Sequence, residues 1–173
     1  MAIVIVLLFL LLILGAIFTA YASLIGAPFL PTPKHIIKEI LKEANLKSGE
    51  KLYDLGSGTG QVLVIAEKFF GANTVGFELS PIFYLISKLN LFFNNTRSSQ
   101  VFLKNFYNQN ISDADVVFAY LIPRSMNKLE LKFIRELKKG TRIISYAFAI
   151  KNWEPKKILK KERMPPVFIY EIS

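Results

Sequence analysis

The chain has 173 residues, 52% of them hydrophobic, with a formal charge of +9 and no cysteine. The absence of cysteine excludes disulfides, thiolate metal sites and thiol catalysis, and a single histidine, His35, leaves no residues for a structural zinc site or a histidine-based triad. Every charged side chain lies after residue 33, and the 140 residues that follow suffice for one compact domain with its own core but not for two.

Ala2 to Ile25 is an apolar run of 24 residues broken only by Gly15, Thr19, Tyr21 and Ser23. As a helix it extends roughly 36 Å, enough to cross a hydrocarbon core of ~30 Å with some tilt. It is predicted to be a single transmembrane anchor. A cleavable signal peptide is the rival, with Ala20-Tyr21-Ala22 as its cleavage site, but no Lys or Arg precedes the run and the run exceeds the usual length of about 7 to 15 residues. A buried core helix is the third reading. Lys34, Lys38 and Lys42 follow the run and nothing basic precedes it, so the folded part is expected on the cytoplasmic side.

On this reading residues 1–26 form the anchor, 27–33 a linker whose three prolines keep it extended, and 34–173 the folded domain. The anchor is expected to contribute no residue to the site. Thr32 is expected to cap a helix with Pro33 in its first turn and Ile36, Ile37, Ile40, Leu41 and Ala44 on its packing face. Glu39 with Lys42, or Glu43 with Lys47, would make weak surface pairs along it.

Leu52, Tyr53 and Leu55 mark a first strand that runs into Gly56, Gly58 and Gly60, and Glu78 closes a second strand 18 residues after Gly60. Glycine after a strand lets the backbone turn tightly and approach a ligand closely, which marks a nucleotide-type site. Dinucleotide sites want G-x-G-x-x-G, and the position that would hold the third glycine is Gln61. A phosphate-binding loop is excluded, because no Gly-Lys-Ser/Thr follows Gly60. The remaining pattern, D-x-G-x-G-x-G from Asp54, resembles the first motif of class I S-adenosylmethionine-dependent methyltransferases.

Further along, a helix is predicted from about Gln61 to Phe70, and Ser80-Pro81 opens another that carries Ile82, Leu85, Ile86, Leu89 and Phe92. Strands follow at Gln100 to Leu103 and Val116 to Leu121, then a helix near Ser125 to Lys138 and a strand over Thr141 to Phe148. Two last strands, near Lys157 to Lys161 and Val167 to Ile172, would form a hairpin joined by Met164-Pro165-Pro166. The alternation implies an α/β fold with a doubly wound, mostly parallel sheet.

The pieces PTP, YDLGSGTG, GFELSP, ADVVFAYLIP, LELKFIRELKKGTRIIS and NWEP resemble the small seven-strand protein-lysine methyltransferases, over about residues 30 to 173. That group includes archaeal broad-specificity enzymes and the membrane-anchored family acting on the ATP synthase c subunit. The resemblance implies a Rossmann-like seven-stranded sheet with an antiparallel last strand and S-adenosyl-L-methionine as cofactor. It departs from the family at Thr59-Gly60-Gln61, usually Asp-Gly-Arg, and at Asn105, usually an acid.

By this resemblance Asp54 lies near the amino-acid end of the cofactor, Gly56, Ser57, Gly58, Gly60 and Gln61 line its approach, Glu78 with Leu79 takes the ribose hydroxyls, and Asn105 with Phe106 borders the adenine. Tyr120 would orient the acceptor amine, with Leu121, Pro123, Pro31 and Thr32 around it. The expected substrate is a membrane-associated protein with an accessible lysine, and the bilayer is the second partner through the N-terminal helix. A lipid or small hydrophobic acceptor, or binding of the cofactor without turnover, are the alternatives. The basic tail, Lys151, Lys156, Lys157, Lys160, Lys161 and Arg163, carries no nucleic-acid motif and reads by default as a solvated edge, with anionic lipid headgroups, the nearest large anion, as the alternative.

Overall fold

A computed structural model describes residues 1–25, 29–162 and 164–173. Gly26, Ala27 and Pro28 of the expected linker, and Arg163 of the basic tail, lie outside them.

Helix α1 (Ala2–Ile25) covers the apolar run and meets the rest of the chain through Gly15 and Thr19, which are half-buried while its other described side chains are exposed. Helix α2 (Lys34–Glu43) buries Ile37, Ile40 and Leu41. Its cap is Pro33, whose carbonyl accepts from the amides of Ile36 and Ile37; Thr32 precedes it and caps nothing, one residue off the expected start. Then come β1 (Lys51–Leu55), α3 (Gln61–Phe70), β2 (Asn73–Glu78), α4 (Pro81–Phe93), β3 (Ser99–Leu103), a 3-10 turn (Phe106–Asn108), β4 (Val116–Ala119), α5 (Pro123–Glu136), β5 (Arg142–Tyr146), β6 (Lys157–Lys161) and β7 (Met164–Glu171). The Ser80-Pro81 start of α4 is as expected, with Ser80 Oγ accepting from Phe83 N.

The seven strands lie in the order β3-β2-β1-β4-β5-β7-β6, the first five parallel and β7 antiparallel to both neighbours. The chain switches direction outward from β1, so the carboxyl ends of β1 and β4 open a crevice between them. The two closing prolines were expected in the hairpin turn; Pro165 and Pro166 instead fall inside β7. A register shift between Leu159 and Lys161 loosens the ladder opposite them, where proline's missing N–H is tolerated.

Alternation divides the core. Leu52, Val116, Phe118 and Ile144 pack with Ile37, Ile40 and Leu41 of α2 and Val62, Ile65 and Ala66 of α3 on one face. Tyr53, Leu55, Val117 and Ile143 pack with Met126, Leu129 and Phe133 of α5 on the other. Trp153 of the NWEP segment locks this second face, donating from Nε1 to Glu130 Oε1 at 3.0 Å and meeting Tyr170 edge-on.

One expectation is corrected. The carboxylates of α2 do not pair along their own helix: Glu43 takes Lys157 and Glu39 takes Lys161, both from β6. The long partners come from a strand that the fold lays beside α2, which helix spacing cannot foresee. Three of the five described basic residues of the tail are therefore paired, since Lys156 also meets Glu171. For α4 the structure supplies what the spacing alone does not, the direction of the apolar stripe. Its Ile, Leu and Phe stripe does not face the core; Ser87 and Leu91 do, and the stripe points outward.

Candidate active site

The cleft at the carboxyl ends of β1, β2 and β4 is lined by Asp54, Gly56, Ser57, Gly58, Gln61, Glu78, Leu79, Asn105, Phe106, Tyr120, Leu121, Pro31 and Thr32. The fold thus brings together all but two of the residues singled out in the sequence. Gly60 and Pro123 are not in the lining. Pro123 begins α5, where its missing N–H costs nothing.

Gly60 has a different duty. It caps α3 in the left-handed region, φ 73°, and a Cβ there would sit 2.3 Å from Ser87 Oγ of α4. Glycine is required because α4 presses on the loop. Asn90 Nδ2 adds a bond to Thr59 O at 2.9 Å from the same helix. At Gly58, φ 52°, a Cβ would meet the ring of Phe29 at 2.9 Å, and that ring stacks on Phe83 of α4 with centroids 4.3 Å apart.

Glu78 is buried and holds three backbone amides. Oε2 accepts from Gly58 N at 2.7 Å, and Oε1 accepts from Leu79 N at 2.9 Å and Ser80 N at 2.8 Å. It ties the glycine turn to the end of β2 and keeps roughly one of a carboxylate's four lone-pair directions for a ligand. Asn105 behaves similarly: its Oδ1 accepts from Tyr107 N at 3.0 Å and caps the 3-10 turn, while its Nδ2 makes no hydrogen bond among the described residues. The turn itself is held to α5 by Lys132, which donates to Gln109 O and pairs with Glu136, whose Oε2 accepts from Ile111 N.

Asp54 is the contrast. It is 3% exposed and makes no hydrogen bond among the described residues. Burial, and then the charge of Glu78, push its carboxyl up to about 8. Such a group calls for a cation. Ser57 Oγ, also in the lining, is buried without a partner. Ser57 Oγ lies against Gly76 of β2, and the unpartnered acid beside the glycine turn fits the ammonium of an amino-acid moiety.

Across the cleft, Tyr120 at the end of β4 stacks on Tyr146 with centroids 4.6 Å apart, and its hydroxyl has no hydrogen-bond partner among the described residues. Burial, then the neighbouring Tyr120, raise the Tyr146 phenol. Phe118, Leu121, Ile37 and Leu30 make the rest of this end apolar, and no Lys or Arg is in the described lining.

The sequence reading missed Thr19 and Phe29. Thr19 of α1 lines the cleft, and its Oγ1 lies 2.6 Å from Ser80 Oγ, so the N-terminal helix does contribute to the site. Thr19 donates to Gly15 O at 2.8 Å, which leaves the Ser80 hydroxyl to donate to Thr19. An apolar Phe29-Leu30 pair between prolines was the available signal, since a solvated linker has no use for it.

Known proteins share the sequence pattern and the fold. Residues 54–157 match the family described as ANTKMT methyltransferase domain. A protein-lysine N-methyltransferase of Saccharolobus islandicus (strain REY15A) is 33% identical over 137 residues, 78% of this chain and 85% of that protein. The Homo sapiens lysine N-methyltransferase named for the ATP synthase c subunit is 28% identical over 147 residues, 84% of this chain and 62% of that protein. Among solved structures, an RNA methyltransferase from Salinibacter ruber in complex with S-adenosyl-L-homocysteine superposes with a TM-score of 0.80 at 29% identity, covering 83% of this chain and 94% of that one. The family match begins at Asp54 and spans the glycine turn and Glu78, a solved relative holds S-adenosyl-L-homocysteine, and so the cofactor is S-adenosyl-L-methionine and the chain belongs to the ANTKMT methyltransferase-domain family of enzymes.

Proposed function

We propose that the enzyme methylates a lysine side chain of a protein at a membrane surface. The observation that carries this reading is the acceptor end of the cleft: apolar walls, one unpartnered phenol, Tyr120, and no described cation. The names of the Saccharolobus and human relatives, both lysine N-methyltransferases, support it. The Salinibacter protein is described as an RNA methyltransferase, but the described lining of this cleft has no Lys or Arg to pair with a phosphate backbone.

When bound, the cofactor supplies a methyl group already activated by its sulfonium. The protein's task is then alignment. Asp54 takes the ammonium of the amino-acid end, the backbone of Ser57 approaches it in the glycine turn, and Gln61 opens α3 beside them. Glu78 directs its remaining lone pair at the ribose, with Leu79 beside it. Asn105 and Phe106 border the base. Tyr120 accepts a hydrogen bond from the incoming amine and so leaves its lone pair aimed along the cleft, with Leu121, Pro31 and Thr32 around the aliphatic stem.

A lysine attacks only as the free amine, and its ammonium has an unperturbed pKa near ~10.4. Desolvation between Leu30, Phe118 and Leu121 favours loss of that proton before transfer. Residues 1–26 serve as anchor, 27–33 as linker and 34–173 as the methyltransferase domain on the cytoplasmic side. Ala2–Tyr21 has the length and composition of a span. The test is the full-length protein in lipid vesicles with radiolabelled S-adenosylmethionine and membrane extract, followed by separation into protein, lipid and RNA. Label on protein lysines, located by mass spectrometry, is expected; label confined to lipid or RNA overturns the reading.

A further inference from the structure

The side of α4 that faces away from the protein is more apolar than the side that packs. Ile82, Leu85, Ile86, Leu89, Phe92 and Phe93 recur at helical spacing on one stripe, with Leu85 60% and both phenylalanines 73% exposed. The inward side carries Ser87 against Gly60 and Asn90 on Thr59. A stripe of this kind marks an interaction surface.

What covers it is indicated by α1. The two helices touch where Gly15 meets Ile82, with 3.5 Å from a Cβ position at Gly15 to the Ile82 side chain, and where Thr19 meets Ser80. Ahead of that contact only Ala2 to Leu14 are free, 13 residues or about 20 Å of helix. That is short of a hydrocarbon core of ~30 Å. For α1 to span, the stretch from Gly15 onward must also lie in lipid, and Ile82 goes with it. Charge agrees: from Leu79 to Lys104 the chain has Lys88, Arg97 and Lys104 and no Asp or Glu, which suits an anionic headgroup layer.

Resting on the reading of α1 as an anchor, we propose that the outer face of α4 is immersed in the bilayer boundary beside α1. The domain then does not hang on a tether. It lies on the membrane with the Thr19–Ser80 lip of its cleft at headgroup level, and its acceptor lysines are those presented at that depth.

The chain lacks cysteine, so single cysteines can carry a polarity-sensitive fluorophore at chosen depths. Full-length protein labelled at Leu8→Cys, Leu85→Cys, Leu89→Cys, Phe93→Cys or Lys128→Cys, each checked for folding by circular dichroism, is placed in vesicles of phosphatidylcholine and phosphatidylglycerol. Lipid-borne nitroxide is expected to quench positions 8, 85, 89 and 93 by about twofold or more, and position 128 on α5 hardly at all. Quenching at 8 with α4 open to aqueous iodide overturns the docking and leaves the anchor standing. No lipid quenching at 8 overturns both. Labels on α4 shielded from lipid and water alike, with excimer emission from pyrene at 89, assign the face to a second copy and overturn the proposal.

Discussion

Thr19 Oγ1 and Ser80 Oγ are 2.6 Å apart, joining a helix outside the sheet to the residue two past Glu78. The contact makes the N-terminal helix a neighbour of the cofactor pocket. Thr19→Val keeps the shape and removes the oxygen that accepts from buried Ser80. The expected loss is about 1 kcal/mol, a roughly fivefold weaker Kd for S-adenosylhomocysteine by calorimetry. An unchanged Kd in the folded variant would confine Thr19 to a packing role.

Glu78→Gln replaces one acceptor oxygen by an amide N–H that meets backbone donors head-on. Because Glu78 ties Gly58, Leu79 and Ser80 together, both the melting temperature and the cofactor affinity are expected to fall, the affinity by about 1.5 to 3 kcal/mol. Weaker binding with an unaltered melting temperature would assign Glu78 to the ligand alone.

Asp54 gives a pH dependence. Its folded pKa, about 8, exceeds the unfolded 3.8, so the folded protein holds a proton that the unfolded chain releases. Stability of the ligand-free protein is therefore expected to fall as pH rises from about 4 to about 8. Cofactor binding needs the carboxylate and should strengthen over the upper part of that range, then weaken as the cofactor's own α-amino group, near ~8, loses its proton. Asp54→Asn should flatten the acid limb of the affinity profile and raise the melting temperature at pH 8. A profile still rising toward pH 8 in that variant would assign the titration to another group.

Tyr120→Phe is expected to lower kcat about tenfold, the scale of one lost hydrogen bond, with cofactor affinity unchanged. Steady-state kinetics on a lysine peptide, with cofactor binding measured separately, distinguish this from damage to the pocket. Equal kcat would remove the hydroxyl from the mechanism.

Gly60→Ala should destabilise the fold by about 2 kcal/mol or more, from the left-handed backbone and the clash with Ser87. Adding Ser87→Ala should recover only part, since the backbone cost remains. Full recovery in denaturant titrations would show that the clash was the whole effect.

The parts of the molecule that could be read from the chain are those set by neighbours in sequence. The glycine turn, the Ser80-Pro81 cap and the strand that closes on Glu78 depend on a few adjacent residues, and the structure has each in place. Thr19 and Ser80 are 61 residues apart, and Glu39 and Lys161 are 122 apart, so only the completed sheet introduces them. For α4 the spacing gives an apolar stripe, but periodicity has no sign: it cannot say whether the stripe faces protein or lipid. The decisive datum was Gly60, whose lack of a side chain admits Ser87 and so fixes which way the helix turns.

The unpartnered acid of β1 also bears on how binding is measured. If Asp54 takes the cofactor's ammonium as proposed, a carboxyl held up near 8 would release its proton to the solvent on binding. The heat of binding then contains the ionisation heat of whatever buffer takes up that proton, so titrations in phosphate and in Tris would report different enthalpies for one and the same contact.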